Sequence, residues 1–173
     1  ELWQQGDITY ILNDEPGSHA RRFVEEHGPC APSMGWRVVD AQHAYDHAVK
    51  NGAKPHDADD KALDVPAIVG IGGALGFFLA APPHSPPAAG VGFLDFYGRI
   101  FGFKQIRFFD IEGKFTGLYS RALTSACGRI RIPINEDRGE KGQIVEYLKR
   151  YNGEGIQHIA VGTDDIYAAT DAI

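Results

Sequence analysis

Cysteine and clustered basic charge are both scarce in this sequence. Cys30 and Cys127 stand far apart with no CxxC spacing, which argues against a disulfide framework or a structural zinc site and suits a reducing cytoplasm. No run of Lys or Arg exceeds the pair Arg21 and Arg22. Acidic residues outnumber basic ones by 23 to 17, for a net charge of -6 and a pI near 5.6. Neither nucleic acid nor an anionic membrane is therefore an expected partner, and a small molecule is. No basic segment followed by an apolar run opens the chain, and Glu1 is not a Met, so the natural start is expected upstream and a cytoplasmic location rests on these absences.

Long hydrophobic runs are also few. The stretch Val65 to Ala81 is uncharged and near the lower length limit for a spanning helix. Pro66, Gly70, Gly72, Gly73 and Gly76 would each weaken such a helix. Ala67 to Ile71 and Leu75 to Leu79 read instead as two buried strands about a glycine turn. No Gly-Lys-Ser/Thr follows the GIGG of that turn, so it is not a phosphate loop.

What is present is enough apolar content, 43% of 173 residues, to bury the core of one ordinary domain or two small ones. Asp7 to Asn13 alternates as a strand, and Ser18 caps a helix through Glu26 that Gly28 ends. Met34 to Val39 is a strand, Asp40 an N-cap, and Ala41 to Asn51 a helix closed by Gly52. Residues 81–90 hold four prolines among small residues, the composition of a stiff linker. This divides the chain into residues 1–80, the linker, and 91–173. In the second part Asp95 is expected to cap a helix ended by Gly102. Three strands should follow at Lys104 to Asp110, Phe115 to Leu123 and Gly128 to Asn135, with Ile130, Ile132 and Ile134 buried on one face. A helix from about Gly142 to Tyr151 leads into NGEGIQHIAVGT, Asn152 to Thr163.

That last stretch reads as a glycine turn delivering His158 into a short apolar strand. His158, Ala160 and Gly162 would share one pleated face, with Ile159 and Val161 on the other, as a pocket wall would. By itself this also describes a core histidine bonded to a carbonyl. An internal repeat relates Met34 to Val49 with His158 to Ile173, each an apolar strand, then Asp, then a helix. Asp40 pairs with Asp164 at a spacing of 124 residues, which sets His158 opposite Met34. Duplicated strand-helix modules followed by antiparallel strands predict an α+β fold whose sheet curls around a cavity.

The motifs HGPCAPSMGWRVVD (His27 to Asp40), VPAIVGIGG (Val65 to Gly73), FYGRIFGFKQIRFFDIEGKFTGLYS (Phe96 to Ser120), GRIRIPINE (Gly128 to Glu136) and NGEGIQHIA (Asn152 to Ala160) resemble the 4-hydroxyphenylpyruvate dioxygenase family. That family and its sister, 4-hydroxymandelate synthase, belong to the vicinal oxygen chelate superfamily. The resemblance implies two tandem glyoxalase/dihydroxybiphenyl-dioxygenase-like domains of βαβββ modules, the second incomplete here. It implies a non-haem Fe(II) dioxygenase of tyrosine and phenylalanine catabolism, in which two His and one Glu leave open positions for a 2-oxo acid and dioxygen. The substrates would be 4-hydroxyphenylpyruvate and O2, and a homo-oligomer is expected.

Carried over residue by residue, His158 matches the second iron histidine, and Ser120, Asn135, Gln143 and Gln157 match substrate-pocket positions. Neutral hydrogen-bonding groups suit that task, because they orient a 2-oxo acid without adding a strong acid or base. Without the family, Asn135 simply ends a strand and Gln143 is an exposed first-turn residue. Gln157 poses a further difficulty: a regular pleat sends it to the face opposite His158, so both reach one pocket only if the strand starts or bulges there.

Two departures matter. The family carries its first iron histidine on a strand before the FYxRIFGF helix, yet Gly92, Phe93 and Leu94 run straight into Asp95. His84 sits too early to replace it. The family's glutamate ligand falls beyond Ile173. With one ligand of three, the 173 residues are not expected to turn over by themselves, and residues are expected to be missing between Leu94 and Asp95. The alternatives are the mandelate synthase and a degenerate binding fragment without metal.

Overall fold

The computed structural model describes residues 1–5, 8–80, 92–113 and 116–172. The proline-rich linker and domain boundary expected at 81–90 lie outside the described residues. At the amino end an exposed hairpin pairs β1 (Leu2–Gln5) with β2 (Ile8–Ile11). Helix α1 (His19–His27) follows, because the Ser18 Oγ accepts from the Arg21 amide at 3.1 Å and Gly28, at φ 75°, ends it. Ala20 and Phe23, three residues apart, turn its apolar face inward.

The first module runs β3 (Ser33–Val38), α2 (Ala41–Lys50), β4 (Lys54–Pro55), β5 (Ala67–Val69) and β6 (Leu75–Ala80). Asp40 caps α2 through its Oδ1, which accepts from the His43 amide at 2.9 Å. The sheet order is β3-β6-β5-β4, with β3 parallel to β6 over six residue pairs and the other neighbours antiparallel. Only the crossover through α2 permits that parallel pair. Ala48 of α2 is fully buried against Ile68 of β5 and Phe78 of β6. The described part of the uncharged run, Val65 to Ala80, thus carries the hairpin of β5 and β6 that its glycines predict. No helix among the described residues is long and apolar enough to cross a membrane.

The second part comprises α3 (Gly92–Phe101) and an antiparallel meander, β7 (Lys104–Glu112), β8 (Gly117–Thr124) and β9 (Arg131–Asp137). Helix α4 (Gln143–Tyr151) and the short α5 (Ile166–Asp171) complete it. Asp95 does not cap α3: the helix starts three residues earlier and Leu94 and Asp95 are consecutive residues within it. Leu123 of β8 is 1% exposed and packs with Phe103 and with Trp36 of β3, flanked by Tyr97, Phe101, Ile132 and Ile134. One core therefore joins the two sheets. Ile130 is excluded from it, 40% exposed, because β9 begins one residue later and the Ile130 carbonyl instead closes the turn onto the Ser125 amide.

Residues 156–163 correct the sequence reading most. They form no strand: the segment pairs with nothing among the described residues, and Ile159 and Val161 are 56% and 51% exposed. Alternation makes a segment competent to be a strand, but a ladder needs a neighbour. The repeat register also moves by one residue. The aspartate that caps α5 is Asp165, whose Oδ1 accepts from the Tyr167 and Ala168 amides at 3.0 Å each, not Asp164.

Candidate functional site

The meander has two unlike faces, fixed by the cross-strand register. Leu123 and Ile132 stand opposite each other on the face covered by α3 and Trp36. Farther along that face Phe108 stacks on Tyr119 at 5.9 Å, and Arg138 lies over Tyr119 while bonding Asp110 at 3.1 Å. The period of two sends Ser120 and Asn135 to the other face. They are direct partners across β8 and β9, and Phe109 of β7 stands on the far side of Ser120. Ser120 is 8% exposed and Asn135 half-buried. A hydroxyl and an amide are so placed side by side on a surface where Phe109 and Ile111 stay 40% and 50% exposed.

His158 and Gln157 occupy a separate place. Both line an open cleft of about 280 Å³ with Pro29, Cys30, Tyr147 and Tyr151 among its other walls. Because 156–163 is not pleated into a sheet, the alternation that would part them does not apply. Both side chains are exposed. Gln143 is exposed on the first turn of α4, the position expected without the family, while Ile144 beside it is buried. Ser120, Asn135 and Gln143 do not line the cleft that holds His158.

The loop before His158 is held by glycines at two close approaches. Asn152 ends α4 in the left-handed region at φ 60°, which Asn tolerates better than most residues. The Glu154 carbonyl oxygen then sits against Gly72, itself at φ 62°, where any β-carbon would overlap it. The ring of Tyr151 fills the space a β-carbon on Gly155 would need. The two glycine motifs of the sequence therefore meet: NGEG is seated on GIGG. An aromatic column braces the seat, with ring centroids 4.4 Å apart for Phe23 and His27, 4.5 Å for His27 and Tyr151, and 5.0 Å for Tyr151 and Tyr147. The His27 Nδ1 lies 2.6 Å from the Tyr151 carbonyl oxygen and donates to it.

Beside this column, burial pushes the Cys30 thiol above its ordinary value, opposed in part by the Tyr151 hydroxyl, so the thiol stays protonated and weakly reactive. Burial likewise raises the Tyr147 and Tyr151 hydroxyls, with Cys30 adding to both. Both hydroxyl oxygens are shielded from solvent without a well-formed hydrogen bond. The i, i+4 spacing of Tyr147 and Tyr151 on α4 is legible in the sequence, but that they face the cleft is not.

The donor set does not fit an iron ion. Among the described residues no three of His, Cys, Asp and Glu converge to hold a metal. His158 is the one expected ligand present, and the groups sharing its cleft are a protonated thiol, two phenols and an amide. What the arrangement offers is a buried hydroxyl beside a half-buried amide on the sheet face away from the core, and an accessible imidazole on a seated loop.

Residues 1–82 match the family model described as hydroxyphenylpyruvate dioxygenase, N-terminal. Residues 92–173 match that of the glyoxalase/bleomycin resistance protein/dioxygenase superfamily. Hemolysin VllY of Vibrio vulnificus is 41% identical over 208 aligned positions, which take in 99% of this chain and 58% of that protein. The 4-hydroxyphenylpyruvate dioxygenase of Pseudomonas aeruginosa is 40% identical over 201 positions, 96% of this chain and 56% of its own length. A 4-hydroxymandelate synthase mutant from Streptomyces coelicolor superposes with a TM-score of 0.77 at 21% identity, covering 99% of this chain and 61% of that one, and so shares the fold. This chain thus spans a little over half the length of the curated relatives it matches. Two successive module matches and about 40% identity along nearly the whole sequence make the chain similar to the 4-hydroxyphenylpyruvate dioxygenases and to the glyoxalase/dioxygenase superfamily.

Proposed function

We propose that the complete protein is an Fe(II)-dependent 4-hydroxyphenylpyruvate dioxygenase, converting 4-hydroxyphenylpyruvate and O2 to homogentisate and CO2 in the cytoplasm. The observation that carries this is the pairing of Ser120 with Asn135 on the sheet face turned away from the core, within motifs whose relatives at about 40% identity include that enzyme. Ser120 and Asn135 would orient a polar aromatic acid by hydrogen bonds that leave its protonation unchanged. Gln143 and Gln157 would add further neutral contacts, and His158 would supply one imidazole ligand. Iron, when bound by the complete protein, supplies the activation of oxygen. The 173 residues alone are expected to hold it poorly, because His158 is one imidazole where three protein ligands are needed.

The fold likeness to 4-hydroxymandelate synthase favours a second reading, in which the same substrate is hydroxylated at the benzylic carbon. Product analysis of the iron-loaded complete protein separates them. Homogentisate supports the dioxygenase, and 4-hydroxymandelate supports the synthase. A protein that binds iron and the 2-oxo acid yet forms neither product refutes both.

A further inference from the structure

The repeat spacing that slips by one residue at α5 holds at the two helices that pack through the aromatic column. Helices α1 and α4 are each nine residues long, and their last residues, His27 and Tyr151, stand 124 residues apart. Phe23 and Tyr147, one turn earlier, keep the same spacing. The column thus joins equivalent positions of the two repeats, with the His27 and Tyr151 rings stacked at its centre, 4.5 Å apart and 19° from parallel.

One atom breaks the equivalence. The His27 Nδ1 donates to the Tyr151 carbonyl oxygen at 2.6 Å, which belongs to the last turn of α4, where a helix leaves its carbonyls without internal partners and its dipole is negative. The His27 side chain is only 6% exposed, so water competes little for that bond. From Tyr151 the constraint runs along the chain. Its ring fills the space beside Gly155, while the carbonyl of Glu154 rests on Gly72. Gln157 and His158 follow Gly155 by two and three residues and line the open cleft with no strand to hold them. Their place is therefore set by the anchors just before them.

We infer that His27 of the first module is a positioning residue for the loop that presents Gln157 and His158, acting through the carbonyl and the ring of Tyr151. The roles of Gln157 and His158 in the reaction rest on the proposed function, whereas the anchoring of the loop does not. The first module carries Met34 where the second carries His158, and in this arrangement it serves as the template on which the second module's loop is set.

The test uses the complete protein. His27→Phe keeps a ring between Phe23 and Tyr151 but removes the donor, His27→Asn keeps a donor and removes the ring, and His43→Phe on the exposed side of α2 controls for the substitution itself. By hydrogen exchange, the amides of residues 153–158 in His27→Phe should open at least about 10-fold faster than in the parent and the control, with β8 amides unchanged. With iron and 4-hydroxyphenylpyruvate, His27→Phe should lower kcat/KM about 10-fold, chiefly through kcat, and His27→Asn should recover part of the loss. Combined with Gln157→Ala, the His27→Phe effect should shrink to less than about threefold, because both act through one loop. Losses that simply add, or loop exchange that stays at the parent rate, would overturn the inference and make His27 a packing residue. A parent that forms neither product refutes the proposed function instead, and the exchange rates of residues 153–158 then decide the role of His27 by themselves.

Discussion

The carbonyl oxygen of Glu154 rests against Gly72, so the turn that precedes His158 is seated on the turn between β5 and β6 of the first module. Neither glycine motif acts alone. Gly72→Ala should cost at least about 1–2 kcal/mol from the left-handed backbone, with more from displacing Glu154. Urea unfolding measures it, with Gly139→Ala as the control because nothing lies within 4 Å of its position. Equal stability of the two variants would show that the seat is not used in solution.

The His158 side chain is exposed, so its removal leaves no cavity. His158→Ala should change stability by less than about 0.5 kcal/mol and, in the complete protein, should abolish bound iron and turnover. Metal analysis of the purified variant decides the matter, since retained iron with activity would make His158 a surface residue and nothing more.

Asn135→Ala should lower kcat/KM of the complete protein by about 100-fold through loss of substrate positioning, with melting unchanged to within a few degrees. Ser120→Ala should act in the same direction. Neither should alter iron content, because both stand away from the imidazole cleft. A loss of iron instead of a rise in KM or a fall in kcat would reassign them to metal support.

Leu123 is 1% exposed beneath Trp36 and Phe103, in the core that ties the two sheets together. Leu123→Ala should destabilise by about 2–5 kcal/mol. Near-UV circular dichroism should report disturbance of the Trp36 environment, whereas Leu2→Ala, 66% exposed, should leave both signals alone.

Burial lowers the pKa of His19 below its ordinary 6.5, with the nearby His56 and Arg22 adding to the fall and the Gly73 carbonyl and Asp60 opposing it. The unfolded chain then binds a proton more readily than the folded one. The stability that neutral His19 contributes is present above pH 6.5 and is lost as pH falls through the folded value. His19→Gln keeps a donor for the Gly73 carbonyl, 3.1 Å away, and should flatten the fall in melting temperature below pH 6.5. An unchanged slope would place the titration on a group other than His19.

Much of this was written locally. Ser18, Asp40 and Gly28 mark helix ends with atoms that reach no farther than four residues, so α1 and α2 were readable from the sequence. The alternation of Arg131 to Asn135 likewise fixed which face of β9 enters the core and put Asn135 on the other. The motifs also carried the family and the names of the candidate residues. Tertiary structure alone decided the rest, because each remaining feature needs a partner distant in sequence. Whether Ile159 and Val161 join a ladder depends on a neighbouring strand, and none is present among the described residues. Ser120 meets Asn135 because of the β8 and β9 register, and Gly72 meets Glu154 because two modules pack against each other. Capping and periodicity act over a few residues, whereas pairing and close approach join residues farther apart, such as Ser120 with Asn135 and Gly72 with Glu154.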